Sequence, residues 1–365
     1  ALATALTKAD YPLWSVRLLV RTLNPQLFAR FYSWKRGREE IIEREATHAG
    51  ASSEQFLDSP FALIIDGQGG VRRRLEGDNT RLDFPILRDL VEEGATDYVA
   101  VPIKFSDGQI NVLTIISDKP GGFSTDQLGH LYEVLPNLGR LLEGHAQRIS
   151  SLTLLQTYLG KSAGSRVNNG LVRRGDGEQL HAVIWFSDLR QSTTLADTMP
   201  RDEYLAALNQ YFDCVAGPVI ENHGEVLKFI GDAVLAIFPI DEPTEKHPQA
   251  CRRAIAAIHD ASERIAEINR DRNDANRPPL RFGTGLHRGT ITYGNIGTER
   301  RLDFTVIGSA VNEAARIEGL CKSLNEPVLA SSAFAASVTK WLTSLGKHEL
   351  RGVQVLEEIF KLTPK

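Results

Sequence analysis

The sequence predicts an α+β protein in which two domains of mixed helices and strands are joined by a long helix. The chain has 365 residues, which is enough for two domains of ordinary size. Short apolar runs bounded by turn residues recur within residues 51–123 and again from residue 181 onwards, as is typical of strands. Between these segments, apolar residues recur at steps of three and four over residues 124–160, which indicates a helix.

The composition excludes several classes of protein. The 42 Lys and Arg nearly balance the 46 Asp and Glu, so nothing in the net charge of −4 favours nucleic acid or an anionic membrane as a partner. Three widely spaced cysteines argue against a disulfide framework and fit a reducing, cytoplasmic location. No run approaches the ~18 apolar residues of a membrane helix. Because the chain starts at Ala1 and its only methionine is Met199, we expect the natural start to lie upstream.

Residues 1–50 are predicted to form N-terminal helices. Apolar residues recur at helical spacing between Leu13 and Leu23, and Pro25 ends this run. A second helix is predicted over residues 27–45, where a charged stretch follows.

Residues 51–123 are predicted to form the core of an α/β domain. Three apolar runs predict its strands, at residues 61–65, 98–103 and 110–116. The pair Asp107 and Gly108 predicts a hairpin turn between the last two. This pattern, followed by a long helix, resembles a GAF-type sensor domain. The resemblance implies a small-molecule regulator of the N-terminal domain.

Residues 124–160 are predicted to form a helical connector. Its apolar seam consists of Leu128, Leu131, Leu135, Leu138, Leu142, His145, Ile149, Leu152, Gln156 and Leu159. A 3.5-residue repeat over about four heptads favours a parallel coiled coil that would pair two chains, with Pro136 as a kink. The alternative is a single amphipathic helix packed on its own domain. Residues 161–180 are rich in Gly, Arg, Asn and Ser, which predicts a linker.

Residues 181–365 are predicted to form the second domain. The expected elements are a strand at 182–187, a helix at 201–222, strands at 225–230 and 233–238, a helix at 248–270, a strand at 280–287, a turn at Arg288 and Gly289, and a strand at 290–296. The order βαββαβ predicts a ferredoxin-like core.

Two aspartates stand where strands of this core end. Asp188 follows the first strand, and Asp232 lies in the turn of the following hairpin. The first strand of a βαββαβ sheet lies centrally beside that hairpin, so we expect the two carboxylates to converge. Carboxylate oxygens in this arrangement suit Mg²⁺ bridged by the oxygens of a triphosphate.

Three motifs occur in a fixed order along the second domain. They span residues 186–193 around Asp188, residues 228–232 from Lys228 to Asp232, and residues 305–316. Together with the order of elements, they resemble the catalytic domain of class III nucleotide cyclases over residues 180–362, half the chain.

The resemblance implies how a metal and a base would be bound. Asp188 and Asp232 would hold two Mg²⁺ or Mn²⁺ ions on the triphosphate of ATP. Lys228 and Thr305 would select adenine, because guanylyl cyclases carry Glu and Cys at these positions. A lysine can donate to adenine N1, whereas guanine N1 carries a hydrogen.

The resemblance also implies residues for the chemical step and for phosphate contacts. Asn312 would orient the ribose, and Arg316, one helical turn later, would neutralise charge on the reacting phosphate. Further substrate contacts are expected from Phe186, Gly231 and Arg351.

The function implied by the resemblance is that of an adenylate cyclase working as a homodimer. In this family, the metal aspartates come from one subunit and the base-reading and Asn/Arg residues from the other, and this chain has both sets. The N-terminal domain would regulate it through the connector, by changing the relative orientation of the two catalytic domains. The alternatives are a guanylate cyclase and a catalytically silent nucleotide-binding scaffold. Gln191 and Thr290, where the family often has Gly and Arg, motivate the second alternative.

Overall fold

The computed structural model describes residues 2–78, 80–240, 248–350 and 356–363. The chain divides into two compact units, Ala1–Leu154 and Leu155–Lys365. Each unit combines one sheet with helices, so the predicted α+β class is confirmed. Among the helices of the described residues, none is long and apolar enough to cross a membrane.

The first unit is built on a six-stranded antiparallel sheet. Its elements in chain order are α1 (Leu2–Lys8), β1 (Leu13–Arg21), β2 (Leu27–Lys35), β3 (Ile42–Thr47), α2 (His48–Ala51), α3 (Glu54–Leu57), α4 (Pro60–Ile65), β4 (Val71–Arg74), α5 (Pro85–Glu92), β5 (Asp97–Lys104), β6 (Ile110–Ser117) and the start of α6 (Thr125–Leu159). The strand order across the sheet is β3-β2-β1-β6-β5-β4.

The first 50 residues are mostly strands, so the prediction of N-terminal helices is wrong beyond α1. The predicted second helix, over residues 27–45, falls on the β2–β3 hairpin. The central position of β1 explains its apolar pattern. This strand lies between β2 and β6. Val16 and Val20 pack into one core and Leu19 into another. A strand buried on both faces lacks a period of two, and its apolar run imitates a helix.

Residues 61–65 were predicted to form a strand, but they belong to helix α4. Pro60 occupies the first position of this helix, where its missing N–H leaves no bond unmade. Ile64 is fully buried in the core beneath it. An apolar run of this length does not distinguish a strand from a buried helical turn.

The other two strands predicted in this unit are confirmed as β5 and β6. The hairpin turn between them is also where the sequence places it. The Asp107 carboxylate accepts a hydrogen bond from the backbone N–H of Gln109 at 2.8 Å, and Gly108 adopts a left-handed φ of +86°.

The first half of the connector helix packs against its own domain. Leu128, Leu131 and Leu135 are buried in a core that includes residues of β1, β5 and β6. The buried Glu143 accepts a hydrogen bond from the backbone N–H of Ser106 at 3.0 Å. The alternative of an amphipathic helix therefore holds for these positions. A coiled coil stays a prediction for the seam beyond Leu142.

The second unit contains an eight-stranded sheet. Its elements after α6 are α7 (Lys161–Asn168), β7 (Gly177–Leu189), α8 (Ser192–Thr198), α9 (Arg201–Glu221), β8 (Glu225–Ile230), β9 (Ala233–Pro239), α10 (Pro248–Asp274), β10 (Phe282–Gly297), β11 (Leu302–Ile307), α11 (Ser309–Ser323), β12 (Val328–Ser331), α12 (Ser332–Ala335), β13 (Leu342–His348) and β14 (Glu357–Leu362). The order across the sheet is β13-β14-β12-β10-β7-β9-β8, with β11 paired to β10.

The predicted βαββαβ core is present as β7, α9, β8, β9, α10 and β10, with β7 central. The predicted linker, in contrast, contains helix α7 and the start of β7. The predicted turn at Arg288 and Gly289 is wrong, because β10 is one continuous strand there. These residues pair with Val183 and Ala182 of β7. A Cβ on Gly289 would lie 2.6 Å from the Cβ of Ala310, so this glycine serves close packing.

The sheet of the second unit is covered by helices on two faces. Trp185 and Phe238 belong to the core that includes residues of α9 and α10, while Ile184 and Ile237 belong to a second core with residues of α11. Helix α11 lies very close to β10. A Cβ on Gly285 would lie 2.5 Å from the backbone nitrogen of Glu318, so only glycine allows this approach.

We expect Gly285→Ala to destabilise the second unit by about 1–3 kcal/mol or more, because the new methyl group meets the backbone of α11. Chemical denaturation followed by circular dichroism measures the change. The control is Gly319→Ala on α11, where the added Cβ meets no atom within 4 Å. This control should be neutral or stabilising by up to about 1 kcal/mol. Equal effects of the two substitutions would contradict the close approach.

Candidate active site

The structure brings Asp188 and Asp232 together at one end of the central strand. Asp188 is the penultimate residue of β7, and it pairs in register with Ala233 of β9. Asp232 directly precedes Ala233 in the tight turn between β8 and β9. Gly231 in that turn has a φ of +62°, a left-handed conformation that glycine adopts readily. The predicted convergence of the two carboxylates is therefore present.

The electrostatics of this pair are unfavourable without a cation. The pKa of Asp188 is raised to about 7, mainly by burial and in addition by the charge of Asp232 and a hydrogen bond with it. One carboxylate oxygen of Asp188, Oδ1, is buried and has no hydrogen-bond partner in the described part of the chain. Two adjacent carboxylates with an unpaired oxygen fit a hard divalent cation.

A third buried acid lies near the pair. Glu318 of α11 is in ion-pair contact with Arg190, with 3.1 Å between Oε1 and Nη2. A Cβ on Gly283, which stands opposite Asp188 in register, would lie 2.5 Å from the Arg190 guanidinium carbon. The glycine thus leaves room for the ion pair. Burial raises the pKa of Glu318, and the Arg190 charge opposes this rise. The pair ties the loop after β7 to helix α11.

Sequence reasoning did not assign a role to Arg190, Glu318 or Tyr211. Arg190 lies inside the first motif and Glu318 follows the third by two residues, so position was an available signal. Their pairing depends on the packing of α11, which no local pattern reveals. Tyr211 of α9 has a buried hydroxyl without a hydrogen-bond partner among the described residues. Burial raises its pKa well above the usual value, as do the charges of Asp188 and Asp232.

The loop after Asp188 contains one of the departures noted in the sequence. Gln191 has a φ of +60°, so a residue with a side chain occupies a left-handed conformation. The other departure, Thr290, lies exposed on β10. Its hydroxyl is 3.0 Å from Nδ1 of His181.

Lys228 lies on β8 and forms an ion pair with Asp303 of β11. Both side chains are partly exposed, at 39% and 47%. Thr305 is two residues further along β11, and alternation along a strand places it on the same face as Asp303. Phe304 and Val306 point the other way, into the core. Asp303 was missed, although the strand period of two from Thr305 was a usable signal.

The two remaining motif residues lie on α11. Asn312 is exposed and Arg316 is half-buried, one turn apart on the helix. In the described residues, neither side chain has a hydrogen-bond or ion-pair partner. The structure does not join them to the aspartate pair. Phe186 is partly buried on β7, two residues before Asp188. Arg351 lies outside the described residues.

A histidine and two aromatic residues of the second unit have structural roles. His287 is buried, and its Nδ1 is 2.9 Å from the hydroxyl of Ser331. Burial lowers the pKa of this imidazole. Trp185 and Phe238 are core residues.

Comparison with known proteins identifies the family of the second domain. Residues 178–358 match the family model of the adenylate and guanylate cyclase catalytic domain. Through this domain, the chain belongs to the class III nucleotide cyclases.

The relatives found by sequence are longer proteins. An uncharacterized protein of Mycobacterium tuberculosis is 32% identical over 220 residues, which are 60% of this chain and 38% of that protein. Adenylate cyclase 1 of Rhizobium meliloti is 31% identical over 180 residues, or 48% of this chain and 26% of that protein. The chain therefore spans well under half the length of these curated relatives.

A solved structure supports the fold. The structure of a bacterial light-regulated adenylyl cyclase matches with a TM-score of 0.51 and 21% identity, covering 73% of this chain and 85% of that chain. At this identity the likeness concerns the fold alone.

We expect Asp188→Asn to stabilise the metal-free protein by about 1–2 kcal/mol at neutral pH, allowing for solvent screening of a half-buried group. The folded-state pKa of Asp188, about 7, lies above the ordinary aspartate value of 3.8. The folded protein therefore binds the proton more tightly, and wild-type stability rises as pH falls from 7 towards 4. The stabilisation by Asn should shrink over the same range.

Thermal unfolding at several pH values, with and without Mn²⁺, measures both effects. Mn²⁺ should raise the melting temperature of the wild type more than that of Asp188→Asn, because the ion binds the folded state. Asp197→Asn, on the neighbouring helix α8, is the control. A variant less stable than wild type at neutral pH would contradict the repulsion between Asp188 and Asp232.

Proposed function

We propose that this protein is an adenylate cyclase that converts ATP into 3′,5′-cyclic AMP and pyrophosphate. The observation that carries the proposal is the aspartate pair at the end of β7, within a cyclase domain, with an unpaired buried oxygen on Asp188. The relative from Rhizobium meliloti, which is named an adenylate cyclase, supports ATP as the substrate.

Asp188 and Asp232 would hold two Mg²⁺ or Mn²⁺ ions together with the triphosphate. When bound, the ions lower the pKa of the ribose 3′-hydroxyl and offset negative charge on the phosphates. For the protein, this occupation relieves the repulsion that raises the pKa of Asp188. Within the described residues, no cluster of three or more His, Cys, Asp or Glu side chains could bind a metal ion through protein ligands alone. This fits a site whose remaining ligands come from the nucleotide.

Lys228 would read the base. Its ammonium can donate to N1 of adenine, whereas guanine carries a hydrogen at N1 and would be rejected. Thr305 would accept a hydrogen bond from the exocyclic amino group of adenine. The ion pair with Asp303 limits the rotamers of Lys228, so the lysine is oriented before the nucleotide arrives.

Asn312 and Arg316 would act on the sugar and the reacting phosphate. Both side chains lack partners in the described residues, so binding a nucleotide breaks no internal bond. Asn312 would fix the ribose, and Arg316 would neutralise charge that develops on the α-phosphate. Phe186 and Gly231 border the aspartate pair and would contact the substrate, as would Arg351.

The reaction is an internal displacement. The ribose 3′-oxygen forms a bond to the α-phosphorus, the bond from that phosphorus to the bridging oxygen breaks, and pyrophosphate leaves. The proton of the 3′-hydroxyl goes to solvent. The protein's task is to hold the 3′-oxygen in line with the leaving group.

The working form would be a homodimer in which each site uses both chains. The aspartate pair would come from one subunit, and Lys228, Thr305, Asn312 and Arg316 from the other. The partnerless side chains of α11 support this arrangement, because nothing within their own chain occupies them. The first domain would regulate the reaction in response to a small molecule.

We expect purified protein to form cyclic AMP from ATP with Mg²⁺ or Mn²⁺, and Lys228→Ala to lower kcat/KM for ATP about ten- to a hundredfold through loss of a charged hydrogen bond. Chromatographic identification of products from ATP and GTP measures this. The control is Lys361→Ala, another lysine paired with a carboxylate, at 2.6 Å from Glu326.

Other products of the same assay would distinguish the two alternative functions, a guanylate cyclase and a silent scaffold. Cyclic GMP as the main product would make the protein a guanylate cyclase. Nucleotide binding without either product would make it a silent scaffold, consistent with the strained Gln191.

We expect Asp188→Ala and Arg316→Ala to be inactive alone but active when mixed. A mixed dimer has one site with both residues intact, so random exchange should restore about a quarter of wild-type activity in a symmetric two-site dimer. Cyclic AMP production after co-refolding or co-expression measures this. No recovery, with mixed dimers demonstrated by differential tags, would mean that each chain carries a complete site.

A further inference from the structure

A pocket in the first domain has an unusual charge balance. It has a volume of about 220 Å³ and lies against strands β1, β2 and β3. Among its lining residues are four cations, Arg17, Lys35, Arg38 and Arg44. Only two carboxylates, of Glu40 and Glu93, line the same pocket, so its wall carries two surplus positive charges.

Half of this positive charge has no carboxylate in the pocket to balance it, and Glu93, which is paired with Lys35, is also within electrostatic reach of Arg17 and Arg38. Lys35 is paired with Glu93 at 2.8 Å and also lies over the ring of Trp14, with 4.0 Å from Nζ to the ring centroid. The side chains of Arg17, Arg38 and Arg44 have neither a hydrogen bond nor an ion pair among the described residues. Such a concentration of unpaired arginines is unfavourable unless an anion joins it.

Arg17 forms the floor of the pocket. It projects from the central strand β1, opposite Ser33 of β2 and Thr114 of β6. Its guanidinium is sufficiently buried that its pKa is lowered, with desolvation as the main cause. Placing a charged group in the middle of a sheet costs free energy, which a hydrogen-bonded anion would offset.

Two buried hydroxyl groups lie close to Arg17. The Oη of Tyr98 and the Oγ1 of Thr114 are buried without a hydrogen bond of good geometry in the described residues. Ser33, Arg17 and Thr114 lie opposite one another in register on β2, β1 and β6, and Tyr98 of β5 lies beside Thr114 and Arg17. Of these residues, Arg17 and Ser33 line the pocket, whereas Thr114 and Tyr98 lie beside Arg17.

We propose that this pocket binds a compact oxyanion with at least two negative charges, such as a phosphate or a polycarboxylate. The planar fork of arginine matches both groups through paired hydrogen bonds. The volume lies below the roughly 300–1,000 Å³ of pockets for drug-sized ligands, which favours a small anion over a whole nucleotide. The proposal concerns binding alone and does not depend on the cyclase reaction.

The test is isothermal titration of the 365-residue chain with inorganic phosphate, pyrophosphate and citrate, at constant ionic strength set with chloride. We expect saturable binding of at least one of them, at one site per chain, outside the cyclase domain. Comparing the affinity for phosphate with that for citrate distinguishes a phosphate ligand from a polycarboxylate. The Asp188→Ala variant should bind unchanged, which separates this site from the proposed catalytic one.

The variants are Arg17→Gln at the floor and Arg44→Gln at the exposed rim. Each should weaken binding at least tenfold. Arg44→Gln changes an exposed residue, so it tests the site even if Arg17→Gln fails to fold. The matched control is Arg30→Gln on β2, because Arg30 is paired with Glu43 and Glu45 and does not line the pocket. Equal affinity in all variants, or no saturable binding of any of the three anions, would overturn the proposal.

Discussion

The site of the second unit depends on one constraint. The fold holds two like charges, the carboxylates of Asp188 and Asp232, close together. Antiparallel pairing of β7 with β9 fixes Asp188 opposite Ala233, so the preceding turn must place Asp232 alongside. Coulomb repulsion opposes this arrangement. The opposing free energy comes from the apolar cores on both faces of the sheet, with Trp185 and Phe238 buried in one and Ile184 and Ile237 in the other. The buried strands thus supply the stability that holds the two repelling carboxylates together at the strand ends.

Three charged sites in this protein differ in the net charge of their side chains. The aspartate pair has surplus negative charge, Lys228 and Asp303 cancel each other, and the pocket around Arg17 has surplus positive charge. Each balance matches a different ligand chemistry, namely a divalent cation, a neutral base and an oxyanion. The difference arises from which residues each strand presents on a single face, since neighbours along a strand alternate between faces.

The sequence predicted those features that depend on local pattern. β8 and β9 were located because a tight turn separates two apolar runs, and the convergence of Asp188 with Asp232 follows from strand order. β1 was misread because both its faces are buried, and the supposed turn at Gly289 because a glycine can serve packing as well as bending. The partners Arg190 and Glu318 were not foreseen, since their meeting depends on how α11 lies on β10.

The glycines of β10 also bear on how this domain can change over evolutionary time. Gly283, Gly285 and Gly289 all lie on the face of the strand that meets α11 or its ion pair, and a Cβ at any of them would meet neighbouring atoms at close range. Gly285 and Gly289 are therefore closed to most amino acids whatever the substrate, and a side chain at Gly283 would displace the ion pair of Arg190 and Glu318. Sequence divergence among descendants must then accumulate elsewhere, at positions whose side chains do not face α11, while the spacing between β10 and α11 is retained.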